Sequence, residues 1–86
     1  MFVGGTNTWD FDIPTIGMIK MALKFTDEVE EQGVARLLAA CIAPDQKLLW
    51  CTWENEDLEG LQAAFDEMNK ESGLKSELRQ VEIFYP

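Results

Sequence analysis

Histidine is absent from the 86 residues of this chain. Its absence removes the usual general base near neutral pH and the commonest ligand of transition metals. It also excludes the Ser-His and Cys-His pairs through which many enzymes activate a nucleophile within one chain. We therefore expect neither a bound metal nor a cofactor in this protein.

Cysteine is scarce, since the chain has only two, Cys41 and Cys51. Two thiols are too few for a disulfide scaffold or for a four-thiolate zinc site. Both lie in apolar stretches, which is typical of small hydrophobic core residues. A redox or nucleophilic role would require an activating cation, and the nearest bases in sequence are Arg36 and Lys47.

Basic residues are few as well. The chain has seven Lys and Arg residues against sixteen Asp and Glu residues, which gives a formal net charge of −9. This excess repels phosphate backbones and anionic lipid surfaces, so we expect no nucleic-acid partner and no membrane partner. It favours solubility. A second interpretation is that the acidic surface attracts a cationic ligand or a basic protein.

Long apolar runs are missing as well. No stretch of this sequence approaches the roughly 18 apolar residues of a membrane-spanning helix. The segment Met1–Thr6 carries no basic residue and leads into no long apolar stretch, so we expect no signal peptide and a cytoplasmic location.

What the chain does contain is 47% hydrophobic residues in short periodic segments, which indicates one globular domain over residues 1–86. The apolar spacing predicts six elements in the order strand, helix, strand, strand, helix, strand. Their predicted bounds are Met1–Trp9, Ile13–Gln32, Val34–Ala43, Lys47–Glu54, a helix that follows an Asn55 cap, and Glu77–Tyr85.

The ends of these elements have recognisable signals. Asp12 is the expected N-cap of the first helix, and Asn55 is the expected N-cap of the second. The segment Val34–Ala43 could continue a helix. We favour a strand, because Gly33 suits a helix end and Pro44-Asp45 is typical of a tight turn.

The length of that turn decides where the two thiols lie. With a two-residue loop, Cys41 is opposite Trp50 and Cys51 is opposite Ala40. With a three-residue loop, the two cysteines are directly opposite each other. Only the second register brings them near disulfide distance.

The segment Lys47–Phe65 is the most informative, because its strand is apolar on both faces. One face has Leu49, Cys51 and Trp53, and the other has Leu48, Trp50 and Thr52. A strand in a small domain usually buries one face only. The second apolar face therefore predicts that another copy of the chain covers it.

The element order, with right-handed crossovers, predicts a ferredoxin-like α+β plait. In this fold a four-stranded antiparallel sheet carries both helices on one face. The uncovered face is predicted to present Leu48, Trp50, Leu78 and Phe84. An exposed apolar patch of this kind marks an interface, so we expect a homodimer that pairs sheet to sheet.

Three segments, KLLWCTWE, NEDLEGLQAAF and RQVEIF, resemble small ferredoxin-like proteins of the dimeric α+β barrel superfamily. The matching positions are Trp50, Cys51, Glu54 and Asp57. The resemblance implies sheet-to-sheet pairing and a pocket between sheet and helices. Some members are cofactor-free monooxygenases or lactone isomerases. A related branch binds nickel through histidines, which this chain lacks.

These observations leave three candidate functions. The first is a binding domain for a small apolar or aromatic ligand, with Asn7, Trp9, Trp53 and Glu54 at the site. The second is a cofactor-independent oxygenase or isomerase that uses Asn7, Trp9 and Trp50. The third is an acidic regulatory protein that docks a basic partner. If the Glu54 carboxyl lies in a closed cavity, its pKa would rise and it could act as a base.

Overall fold

A computed structural model describes residues 1–85 of the chain and contains the six predicted elements. They are β1 (Phe2–Thr8), α1 (Thr15–Glu31), β2 (Ala35–Ala43), β3 (Leu48–Asn55), α2 (Leu58–Ser72) and β4 (Lys75–Val81). A short 3-10 turn, Pro44–Gln46, joins β2 to β3. The predicted βαββαβ order is therefore confirmed, and Val34–Ala43 is largely strand rather than helix.

The four strands form one antiparallel sheet in the order β2-β3-β1-β4. This order follows from the two crossovers: each helix connects strands that are not neighbours, so β1 and β3 become the central pair. Residues paired across neighbouring strands share a face of the sheet. The register therefore divides the sheet into a face that packs on the helices and a face that no helix covers.

The hydrophobic core lies between the sheet and the two helices. Three of its aromatic rings, Phe25, Trp53 and Phe65, meet edge to face with centroid separations of 4.7 to 6.2 Å. Such contacts add about 0.5–1.5 kcal/mol per pair beyond the burial of the rings. Val3 and Leu61 are completely buried beside them.

We define the open face as the side of the sheet turned away from the helices. It consists of Phe2, Gly4, Thr6 and Thr8 of β1, Arg36, Ala39, Cys41 and Ala43 of β2, Leu48, Trp50, Thr52 and Glu54 of β3, and Lys75, Glu77, Arg79 and Val81 of β4. Trp50 is 41% exposed there. The centre of the open face combines Trp50 with Gly4, Thr6 and Thr52, while three of its five charged side chains lie on β4.

Two features of β4 differ from expectation. The strand was predicted over Glu77–Tyr85, but it ends at Val81, because its partner β1 has only seven residues and pairs Phe2 with Val81. Leu78 was assigned to the uncovered face. It instead pairs with Gly5 and packs against the core on the helix side, so that assignment is wrong. Phe84 lies beyond the strand and is 99% exposed.

Both predicted helix caps also differ. The residue before α1 is Pro14, which provides no side-chain cap, and Asp12 forms an ion pair with Lys47 at 3.2 Å instead. The N-cap of α2 is Asp57, whose Oδ1 accepts a hydrogen bond from the Gly60 N–H at 2.9 Å. Asn55 remains the last residue of β3, and its side chain is buried.

The hairpin between β2 and β3 adopts the first of the two registers considered. Cys41 is opposite Trp50, and Ala40 is opposite Cys51. The connection spans Pro44 to Lys47, with Lys47 in the left-handed conformation at φ 51°. The two thiols therefore lie on opposite faces of the sheet, and both are free.

Candidate ligand pocket between sheet and helices

A cavity of about 260 Å³ lies on the helix side of the sheet. Its apolar walls come mainly from α1 and the middle of β2 and β3, and they include Met18, Ala22, Phe25, Leu37, Ala40, Ile42, Leu49 and Trp53. The α1 residues reach it because they recur every three or four positions and so share one side of the helix. No described residue that lines the cavity is charged.

Asn7 is the main polar residue in this cavity, and it is only 4% exposed. Position 7 faces the helices because the side chains of β1 alternate, with Val3 and Gly5 on the same side. Its Nδ2 donates to the Leu49 carbonyl at 3.4 Å and to the Cys51 Sγ at 3.6 Å. Both contacts are long compared with the usual 2.9–3.0 Å of a hydrogen bond between nitrogen and oxygen.

The other end of the Asn7 amide is held more tightly. Ser76 Oγ donates to Asn7 Oδ1 at 2.5 Å and also lies 3.3 Å from Asn69 Oδ1. Because the Leu49 carbonyl can only accept, the amide atom beside it must be the NH₂ group. The Leu49 carbonyl therefore fixes the orientation of Asn7, with its donor group turned toward Leu49 and Cys51, and the Ser76 hydroxyl donates to the oxygen at the other end.

Cys51 lies in the cavity wall as a neutral thiol. Burial raises the pKa of Cys51 above its ordinary value of 9.0, and contacts with Trp53, Asn7 and the Gly5 carbonyl oppose that rise only in part. A nucleophilic cysteine needs a lowered pKa and a nearby cation. The cavity supplies neither, so Cys51 is suited to packing rather than to covalent chemistry.

Trp53 contributes a second polar atom, because its buried Nε1–H has no oxygen acceptor among residues 1–85 and only the weakly accepting Cys51 sulfur as a neighbour. Thr26 also borders the cavity, but its hydroxyl donates to the Ala22 carbonyl at 2.9 Å. Thr26 is therefore satisfied, whereas a buried donor without a good acceptor, such as the indole N–H, lowers the free energy of unfolding by about 1–3 kcal/mol. The indole N–H therefore marks a place where an acceptor would be favourable.

The predicted ligand-binding residues do not all meet. Asn7 and Trp53 line the same cavity. Trp9 instead borders a separate hollow of about 330 Å³ near Asp12 and Lys47. Glu54 is on the open face and pairs with Arg36 at 3.0 Å, so the expectation of a carboxylate inside the cavity is wrong.

The residues suggested for an oxygenase are likewise separated. Asn7 points toward the helices, whereas Trp50 lies on the open face beside Cys41. Trp9 adjoins the separate hollow. The sheet itself stands between Asn7 and Trp50, so these three side chains cannot surround one substrate.

Ser76, Asn69 and Thr26 were missed by the sequence analysis. Ser76 is 69 positions from Asn7, and no local pattern connects the two. Thr26 could have been recognised from the sequence, because it lies one helical turn after Ala22 on the apolar side of α1. A hydroxyl at such a position commonly bonds to the carbonyl four residues earlier.

Comparisons with known proteins bear on the fold class. No family model matches the chain, and no curated protein matches it. A solved structure described as a structural genomics target, protein YJCS, is similar with a TM-score of 0.61. The alignment has 17% sequence identity and covers 94% of this chain and 97% of that one. This similarity supports the ferredoxin-like α+β fold.

No helix among residues 1–85 is both long enough and apolar enough to cross a membrane.

Proposed function

We propose that the chain is a homodimeric binding domain for a small apolar molecule held between sheet and helices. The observation that carries the proposal is the cavity of about 260 Å³, whose walls are apolar apart from a few hydrogen-bonding groups. Ligand sites are typically concave and largely apolar, with a small number of placed polar atoms. Asn7 and the Trp53 indole are such atoms.

The size of the cavity limits the ligand. A dry apolar cavity of about 150 Å³ can hold benzene, so 260 Å³ corresponds to about ten non-hydrogen atoms. An empty cavity lowers the stability of a folded protein in proportion to its volume. A chain of 86 residues has a small core, so this cost is a large share of its stability. Occupation by a ligand would stabilise the folded state by mass action.

The dimer proposal rests on the open face. Trp50 is 41% exposed at its centre, and Phe84 beyond the strand is almost fully exposed. Exposed aromatic residues of this kind are enriched at protein–protein interfaces. The resemblance to the dimeric α+β barrel superfamily agrees, since its members pair through their sheets.

Charge favours a second copy as the occupant of the open face. This face has three bases and two acids, whereas the rest of the chain has four bases and fourteen acids. Two copies that each carry −9 repel each other through most of their surface. The open face is the region where they can meet without that repulsion, while a basic protein would be drawn to the acidic remainder.

The ligand proposal is tested by titrating the ¹⁵N-labelled chain with butylbenzene, an uncharged probe of ten non-hydrogen atoms. We expect the largest NMR shift changes at residues around the cavity. Ala22→Leu adds volume inside the cavity and should abolish binding. Ala64→Leu is the matched control, because Ala64 borders the groove between the helices instead. Absence of binding to the wild type, or equal binding by both variants, would contradict the proposal.

A further inference from the structure

The polar groups of the cavity that are least engaged within the protein are hydrogen-bond donors. The NH₂ group of Asn7 and the Nε1–H of Trp53 are donors only. The hydroxyl hydrogen of Thr26 is already engaged with the Ala22 carbonyl. The carbonyl of Leu49 and the Oδ1 of Asn7 both accept hydrogen bonds within the protein. Donors are therefore the principal polar groups left for a ligand.

The NH₂ group of Asn7 makes only weak hydrogen bonds within the protein. Its two Nδ2 contacts measure 3.4 and 3.6 Å, and one of them is to a sulfur atom, which accepts weakly. The amide cannot turn over without placing its oxygen against the Leu49 carbonyl, which can only accept. An acceptor placed in the cavity could take one Nδ2–H while the amide keeps its orientation.

The cavity also discriminates by charge. Its described lining contains no acidic or basic residue, and moving an ion into such surroundings without a partner is strongly unfavourable. Anionic ligands face a second penalty, because the chain carries a net charge of −9. The ligand should therefore be neutral.

We infer that the cavity selects a neutral, largely apolar molecule with one hydrogen-bond acceptor, such as a ketone or ester oxygen, which accepts from Asn7 Nδ2. This inference rests on the proposed ligand-binding function and adds the chemical class of the ligand. The Nε1–H of Trp53, which has only the weakly accepting Cys51 sulfur as a neighbour, is a second donor among the residues that line the cavity. The rings of Phe25, Trp53 and Phe65 surround the apolar remainder.

Three probes of nearly equal size test this class. They are 4-phenylbutan-2-one, which carries a ketone, butylbenzene, which has no acceptor, and 3-phenylpropanoate, which is an anion. Dissociation constants for each are measured by NMR titration of the wild type and of Asn7→Leu, which replaces the amide by an apolar side chain. We expect the affinity ratio of ketone to hydrocarbon to fall roughly 3- to 10-fold in Asn7→Leu. We expect the anion to bind more weakly than the ketone.

A second measurement does not depend on whether the variant folds. In the wild type, the side-chain ¹H–¹⁵N signals of Asn7 should shift on adding the ketone and shift less with butylbenzene. A matching shift of the Trp53 indole signal would show that the second donor also takes part.

The outcomes separate this inference from the function on which it rests. If both neutral probes bind and Asn7→Leu leaves their affinity ratio unchanged, the acceptor class is wrong, but the binding function stands. Tighter binding of 3-phenylpropanoate than of the ketone would also overturn the class. If neither neutral probe binds, both the class and the binding function are wrong.

Discussion

At the scale of one residue, Gly5 of β1 packs closely against Cys51 of β3 and Leu78 of β4. A methyl group on Gly5 would lie 2.9 Å from Cys51 Sγ and 3.0 Å from Leu78 Cδ2. The distance to the sulfur is too short for an unshifted side chain and the distance to Leu78 is at the limit, and overpacking of this kind costs about 1–3 kcal/mol. We expect Gly5→Ala to lower the free energy of unfolding by that amount in urea denaturation.

The matched control is Gly4→Ala. A methyl group there would approach only Val81 on the half-exposed open face, at 3.1 Å. Its effect should be within about 1 kcal/mol of zero, because β1 also gains from replacing a flexible glycine. Combining Gly5→Ala with Cys51→Ala removes the clashing sulfur and should recover part of the loss. An equally destabilised double variant would refute this explanation.

The raised pKa of Cys51 predicts how the free energy of unfolding changes at alkaline pH. Burial raises the pKa of its thiol in the folded protein above the ordinary value of 9.0. The stabilising effect of the neutral thiol is therefore complete below about pH 9 and is lost as pH rises through the raised pKa, because the unfolded chain loses its proton first. We expect the urea midpoint of the wild type to fall more steeply between pH 8 and 10.5 than that of Cys51→Ala.

The other thiol provides the control for this experiment. Cys41 is exposed on the open face, so Cys41→Ala should keep the steep wild-type decline. If Cys51→Ala and Cys41→Ala respond to pH in the same way, the decline does not come from Cys51. A pH-independent midpoint for the wild type would also contradict the assignment.

At the scale of the element, the start of α2 depends on Asp57. Its carboxylate accepts from the Gly60 N–H and occupies the space that a side chain on residue 60 would need. Replacing such an N-cap by alanine typically costs about 0.5–2 kcal/mol. We expect Asp57→Ala to show this loss in thermal unfolding. Asp66→Ala, which removes only an exposed bond to Gln62 in the middle of α2, should cost much less.

Gly60 offers an independent check of the cap. Alanine is normally the better helix former by about 1 kcal/mol. Because a methyl group at this position collides with the capping carboxylate, we expect Gly60→Ala to fail to stabilise the chain. In an Asp57→Ala background the same change should stabilise it. Stabilisation of equal size in both backgrounds would show that the cap does not restrict residue 60.

Element types were predictable from the sequence, because apolar spacing in a helix or strand is a local signal. The spacing around Met18 and Phe25 predicted α1, and the alternation around Trp53 predicted β3. The end of β4 was not predictable in this way. It depends on the length of β1, about 70 residues earlier in the chain, and the same pairing turns Leu78 toward the helices.

The candidate site was predictable only in part for the same reason. Asn7 could be named because the resemblance implies that residue type in a pocket, and Trp53 because a tryptophan beside the core can line a cavity between sheet and helices. Their meeting in one cavity depends on the pairing of β1 with β3. The hydrogen bond from Ser76 to Asn7 and the ion pair between Arg36 and Glu54 both join residues distant in sequence. Sequence periodicity contains no information about such contacts.

At the scale of the whole molecule, the proposed dimer predicts a specific effect of substitution. Trp50→Glu places a carboxylate at the centre of the open face, where pairing of two copies would bury it. We expect the wild type to sediment as a dimer at micromolar concentration and Trp50→Glu as a monomer. Ile16→Glu makes the same kind of change at a residue of α1 that is 60% exposed, and it should remain dimeric. A monomeric wild type, or a dimeric Trp50→Glu, would contradict the proposed interface.

Salt distinguishes this dimer from the docking of a basic protein. Two copies with a charge of −9 repel each other at long range, while their open faces are nearly neutral. Raising the salt concentration screens that repulsion, since the Debye length falls from about 30 Å at 0.01 M to about 10 Å at 0.1 M. The dimer should therefore become tighter with added salt, whereas binding of a basic partner to the acidic surface would become weaker. Sedimentation equilibrium at 10, 100 and 500 mM NaCl measures the trend, and weaker self-association at high salt would show that opposite charges, rather than apolar contacts, hold the two copies together.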